Sequence, residues 1–158
     1  MIRKGSIRAG KSQTSHTTLP AFLFMVEYEN QVRAVFSECS GLTAEIDVFE
    51  YQEGGDNTRV HKLPGHRKWS NITLKRGMTD SLDLWNWWQR VIAGGPNLRQ
   101  NISIILNDET QEQGMRWDIE GAYPIKWEGP SLRVDGNAVA VETLVLAHNG
   151  FRMLKHAG

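Results

Sequence analysis

The chain has 158 residues, enough for one domain with a substantial hydrophobic core. Its 18 Lys and Arg balance 18 Asp and Glu, and this zero net charge argues against a general nucleic-acid binder, which carries a basic excess. The single Cys39 excludes an internal disulfide and a cysteine-based zinc site, and no apolar run approaches the ~20 residues of a membrane-spanning helix.

Residues 1–18 are rich in Ser, Thr, Gly and basic residues, contain no acid and lack the apolar core of a secretory signal. Such a segment buries little and is expected to be a flexible basic arm, with a single domain over residues 19–158. Synthesis in the cytoplasm is therefore expected. Pro20 opens the first strand, expected over 21–29, with Phe22, Phe24 and Val26 on one face and Leu23 and Met25 on the other. Residues 32–37 supply its hairpin partner. A third strand covers 43–51. There Ala44, Ile46 and Val48 share one phase while Phe49 and Tyr51 take the other, so a β-bulge or change of face is expected at Val48-Phe49.

Residues 53–66 read as the longest irregular stretch, containing Gly54-Gly55-Asp56-Asn57, Arg59, His61, Lys62 and Pro64-Gly65. Long loops in compact domains tend to be functional or mobile. No helix follows the glycines to hold a phosphate, and His61 and His66 lack partners at metal-ligand spacing. The expected use is an extended arm that pairs or packs with another chain.

Ile72 and Leu74 alternate with Asn71, Thr73 and Lys75, which predicts a strand over 68–77 that stops at Gly77. The period then changes. Leu84, Trp85, Trp88, Val91 and Ile92 fall on one stripe of a helix over 81–92, the core-facing side. Thr79 or Asp80 can cap its start, Asp83 and Arg90 suit its dipole, and Gly94-Gly95-Pro96 stops it. Trp87 falls off the stripe, where a surface contact is expected. Further strands are predicted over 101–106, 115–125 (with Pro124 at a bend or edge) and 138–147, the last in the sequence. The fold class is mainly β, a sandwich or barrel with one flanking helix. Several strands are apolar on both faces. One helix covers only one of them, so a second subunit is the natural cover for the other.

Nothing points to catalysis. The chain has no Gly-x-Ser-x-Gly elbow, no phosphate loop, no His-Glu-x-x-His and no dinucleotide fingerprint. Cys39 reads as a small buried side chain, and the cluster Trp85, Trp87, Trp88 as packing rather than a ligand cage. No spacing selects a catalytic carboxylate pair. Neither an enzymatic activity nor a cofactor or metal is expected.

Six pieces, in order, carry a family resemblance. They are Phe36-Ser37-Glu38-Cys39-Ser40-Gly41-Leu42, Glu50-Tyr51-Gln52-Glu53-Gly54, Lys62-Leu63-Pro64-Gly65, Ser70-Asn71-Ile72-Thr73-Leu74-Lys75-Arg76-Gly77, Trp127-Glu128-Gly129-Pro130 and Glu142-Thr143-Leu144-Val145-Leu146-Ala147-His148. Over roughly residues 19–150 the chain resembles the tail-tube (inner tube) proteins of contractile phage tails and phage-tail-like injection systems. The resemblance implies a β-sandwich-like barrel with one flanking helix, shared with the type VI secretion tube. It implies hexameric rings stacked into a hollow conduit for cargo or DNA, driven through a target envelope by sheath contraction. The partners implied are further copies of the chain, the sheath, and baseplate or tube-initiator and terminator proteins, with no membrane anchor on the chain, in a virion or a released or anchored particle. A tube-capping or adaptor protein, or a type VI-like secreted ring, is the alternative.

The resemblance also assigns roles. The inter-subunit or inter-ring arm would comprise Glu50, Glu53, Gly54, Gly55, Asp56, Asn57, Arg59, His61, Lys62, Leu63, Pro64 and Gly65. Glu50 and Glu53 would stand at its root, with Arg59, Lys62, Arg67 and Lys68 as ionic partners. Ser81, Asp83, Asn86, Trp87 and Arg90 would form the sheath-facing side of the helix.

Overall fold

The computed structural model describes residues 24–28, 31–55, 58–107, 113–136 and 139–157. The expected basic arm over 1–18, the start of the first strand, and Asp56 and Asn57 lie outside the described residues.

β1 (Phe24–Tyr28) is flanked by β2 (Gln31–Phe36) and β7 (Gln100–Asn107), both antiparallel to it. At Ser37 the chain leaves this sheet. Its backbone N–H donates to Lys75 O at 2.9 Å and its hydroxyl to the same oxygen at 3.2 Å. The next residues form a short strand absent from the sequence reading, β3 (Glu38–Ser40), paired with β6 (Ile72–Gly77). β4 (Ala44–Tyr51) and β5 (His61–Trp69) form a separate two-stranded sheet. The strand anticipated over 68–77 is therefore two strands, broken at Ser70-Asn71.

β8 (Gln113–Glu128) has 16 residues and belongs to two sheets. Its first part lies between β7 and β10 (Gly150–Ala157), and its last part pairs with β9 (Val141–Ala147). The strand turns over at Gly121. With φ of 60° this residue occupies the left-handed region, and an added Cβ would stand 2.5 Å from Asn149 Nδ2. Pro124, expected at a bend or edge, is buried inside β8 at the register shift opposite β9, where the ladder tolerates a missing N–H. The full strand order is β2-β1-β7-β8-β9-β6-β3, with β10 off this path on β8. The path is open, so hydrogen bonds do not close it into the anticipated barrel within one chain. Its two ends, β2 and β3, are consecutive in the chain and swing apart at Ser37 instead of pairing.

The core lies between the two halves of this sheet. Val26, Phe36, Ile102, Ile104 and Ile119 come from one half, and Ile72, Leu74, Leu144 and Leu146 from the other. Beside these leucines, the same inward row of β6 and β9 ends on an ion pair. Arg76 lies 3.4 Å from Glu142, the side chains are 7% and 3% exposed, and the guanidinium sits 5.9 Å from the Phe36 ring centre.

α1 (Asp83–Ala93) covers the core, but not with the predicted stripe. Leu84 and Trp87 are buried, Trp88 and Val91 half-buried, whereas Trp85 is 37% and Ile92 60% exposed. The inward face thus runs Leu84, Trp87, Trp88, Val91, at i, i+3, i+4 and i+7. Five apolar residues span a wider arc than one sheet can cover. The docking angle decides which of them go under. Trp85 leans on the rim instead, edge-on to Trp127 with ring centres 4.8 Å apart. Neither Thr79 nor Asp80 caps the helix. The cap position is Leu82, and the nearest side-chain help is Ser81 Oγ accepting from Asp83 N at 3.4 Å. Trp87→Ala is expected to destabilise the fold by about 3 kcal/mol and Trp85→Ala by about 1 kcal/mol, read by urea unfolding.

Candidate interaction surface

The arm anticipated from the irregular 53–66 stretch is a β-hairpin. Residues 61–67 did not read as part of a strand because Pro64 and Gly65 interrupt their alternation. Both are accommodated on the partner strand's terms. Ile46 pairs with Arg67 and Val48 with Pro64, so Gly65 and His66 together oppose Asp47. The predicted bulge exists, but its extra residue lies in β5, adjacent to the expected point in β4. A Cβ on Gly65 would come 2.9 Å from Asp47 O, so glycine permits the close approach.

This pairing reverses one expectation. Ala44 and Trp69 form the root of the hairpin, and Tyr51 and His61 its far end. Glu50 and Glu53 are therefore distal, not at the root. Glu50 is 3.8 Å from Lys62, and Lys68 donates to Asp47 at 2.6 Å. That hydrogen bond holds the Lys68 ammonium above its usual range. Gly54, Gly55 and Arg59 are exposed near the tip.

The sequence reading of the arm named Leu63 and Pro64 among mostly polar residues and left out the apolar residues of β4. Phe49 faces Leu63 across the strands, and Tyr51 stacks on His61 with ring centres 5.2 Å apart. Ile46 and Val48 lie on the opposite side. All are substantially exposed, Phe49 at 62% and Leu63 at 46%. Among the described residues the hairpin pairs with no strand of the larger sheet, so its edges are free, and the exposure of these side chains leaves both faces open. Contiguous apolar surface of this kind marks an interaction site. The apolar residues in both phases of β4, noticed as a slip, were the signal.

A second surface is polar. Arg116 donates from Nε to Asp118 at 2.7 Å, from Nη1 to Glu27 at 3.1 Å and from Nη2 to Ser103 Oγ at 2.8 Å, and Ser103 donates to Asp118 at 2.7 Å. These groups line a groove of about 660 Å³ with Arg99, Glu120 and Arg152. Their charges already satisfy one another, which suits a cross-strand brace better than a ligand site. Partial burial opposes the charge on Asp118, but the bonds from Arg116 and Ser103 outweigh it and hold the carboxyl below its usual range. A depressed carboxyl contributes stability above the ordinary carboxylate range and loses it as pH falls through the folded-state value. Asp118→Asn should therefore cost about 1–2 kcal/mol at pH 7. In urea unfolding at stepped pH, the difference should shrink below about pH 4. Cys39 is half-buried, and burial pushes its thiol up to about 11, the opposite of an activated nucleophile.

Among the described residues no cluster of His, Cys, Asp and Glu could hold a metal ion, and no helix is long and apolar enough to cross a membrane.

This β-fold with its flanking helix is shared with chains in structures of contractile injection systems. A chain of an extracellular contractile injection system structure, the PVC sheath-tube complex in its extended state, superposes with a TM-score of 0.74 at 26% identity, covering 95% of this chain and 99% of that one. A chain of the PVC sheath/tube terminator structure gives 0.75 at 26% identity, covering 89% and 99%. A chain of the anti-feeding prophage baseplate gives 0.73 at 25%, covering 89% and 97%. Hcp1 from Flavobacterium johnsoniae shares the fold, with a TM-score of 0.51 at 13% identity over 87% of this chain and 100% of its own. No curated protein matches the sequence. The chain belongs to the T4-like virus tail tube protein family, gp19, whose model matches residues 20–152.

Proposed function

We propose that this tail tube protein forms hexameric rings that stack into the inner conduit of a contractile particle, and that the β4–β5 hairpin joins one ring to the next. The observation that carries the reading is the hairpin itself. It is an independent two-stranded sheet with apolar side chains exposed on both faces, and an isolated hairpin is marginal in water until something covers it. The family membership and the sheath-tube, baseplate and terminator contexts of the similar structures support the same partners for this chain: its own copies, a sheath, a baseplate or initiator and a terminator. Glu50, Lys62, Leu63 and Pro64 are the arm residues placed to meet the adjoining ring, and Ser81, Asp83, Asn86 and Arg90 the outer side of the helix toward the sheath.

The role is mechanical rather than enzymatic. The subunit is made in the cytoplasm and ends in a particle whose lumen carries cargo or DNA. Negative-stain microscopy of the purified protein, alone and with its sheath and baseplate partners, tests the reading. Stacked rings support it. Isolated rings that only terminate a tube built by another protein would favour a cap or adaptor, and persistent monomers beside the partners would overturn it.

A further inference from the structure

The arm has to leave the body in a fixed direction if it is to reach a defined place on a neighbour. Four contacts meet at its root. Gly41, at φ of 86°, lies where an added Cβ would collide with Asn71 O, which brings the segments before β4 and after β5 together. Ser70 N donates to Thr43 O at 3.4 Å, closing the hairpin's base. Trp69, the last residue of β5, lies beneath Gly150, where a Cβ would be 3.0 Å from its ring, and it tilts against Phe151 with ring centres 4.9 Å apart. The fourth contact is His148, between β9 and β10.

Both nitrogens of His148 are engaged. The Gly150 amide donates to Nδ1 at 3.1 Å, and Nε2 lies 2.8 Å from Ser70 O. An amide N–H can only donate and a carbonyl oxygen can only accept. Nδ1 is therefore the acceptor and Nε2 carries the proton, which defines the neutral ring and its tautomer. The ring also lies 6.2 Å from Trp69 and 6.0 Å from Phe151, completing an aromatic collar around the root.

We propose that His148 is the positioning residue that sets the direction of the β4–β5 arm by clamping its root, at Ser70, to the turn between β9 and β10, and that the clamp requires the neutral imidazole. A second proton on Nδ1 would set one N–H against another and remove the bond from Gly150. Three of the charged groups on the elements packed here are engaged with other partners. Arg99 donates to Asn149 Oδ1 at 2.8 Å, Lys68 pairs with Asp47, and Arg152 lies 3.9 Å from Asp118. Arg67 precedes Lys68 in β5, and Glu120, whose carbonyl accepts from Asn149 N at 2.9 Å, is exposed. Among the described residues no ion pair involves the imidazole, so its own proton decides the clamp.

The assembly consequence rests on the proposed stacking role of the arm, but the clamp itself is testable in the unassembled subunit. Spin labels at Gln52→Cys and Ser131→Cys, in a Cys39→Ala background, report the arm-to-body distance by pulsed electron resonance. The parent should give one narrow distribution at pH 7.5 that broadens at least twofold at pH 5. His148→Ala should be broad at both. His148→Gln keeps a donor within reach of Ser70 O and cannot titrate, so it should stay narrow at both. A narrow distribution in His148→Ala, or an equal pH response in the parent and His148→Gln, overturns the proposal. If His148→Ala fails to fold, the comparison of the parent with His148→Gln still decides it. Stacking separates the two readings. If Leu63→Asp stacks normally while His148→Ala broadens the distances, the arm's role fails and the clamp stands. The reverse pattern sinks the clamp alone.

Discussion

Leu63→Asp is expected to abolish ring stacking while leaving the subunit folded. In the single chain Leu63 is nearly half exposed and pairs only with Phe49 across the hairpin, so losing it there should cost no more than about 1 kcal/mol. In a stacked tube the same side chain would be covered. A carboxylate placed in a dry contact loses hydration that no nearby cation restores, because Lys62 already pairs with Glu50. A cost of about 3 kcal/mol per contact raises the concentration needed for stacking more than about a hundredfold, and every copy in the ring repeats it. Electron microscopy with sedimentation checks assembly, and circular dichroism checks the fold. Normal tubes from this variant would remove the arm from the account of stacking.

Glu142→Ala should produce the largest loss of subunit stability, about 3–5 kcal/mol, because it leaves the buried Arg76 guanidinium with no counter-ion. Arg76 Nε already lacks a hydrogen-bond partner, so little remains to compensate the charge. The double replacement Arg76→Met with Glu142→Leu should recover most of the loss, since an apolar pair continues the inward row of Ile72, Leu74, Leu144 and Leu146. Urea unfolding of both variants checks the pair. A single replacement costing less than about 1 kcal/mol would mean that the ion pair is hydrated in solution.

Much of the fold was legible because it depends on short-range alternation. Ile72 and Leu74, Ile102 and Ile104, and Leu144 and Leu146 were read as strand positions, and all are buried. The helix was legible in extent to within two residues, but its inward face was not. Trp85, Trp87 and Trp88 are all apolar, and only the contact with β8 and the rim at Trp127 selects Trp87 for burial. β10 lies beyond the last strand read from the sequence, which ended at residue 147. In the folded chain Gly150, with φ of 141°, turns the strand back onto β8 directly after His148-Asn149. The arm as read from the sequence included Leu63 among its glycines and charges, whereas Ile46, Val48 and Phe49, the exposed apolar residues of β4, were left out of it.

The sequence by itself determined the β-rich class, the helix that begins near residue 83 and, through six ordered motifs, the tail-tube family. Each of these depends on residue types a few positions apart, where periodicity and turn chemistry act locally. Only the tertiary structure decided the crossing of β8 between two sheets, the pairing of β5 with β4, the burial of Arg76 against Glu142 and the meeting of His148 with Ser70. The last two join residues 66 and 78 positions apart. Such contacts form only when distant strands are brought into register by the burial of a shared core, and no local pattern encodes that register.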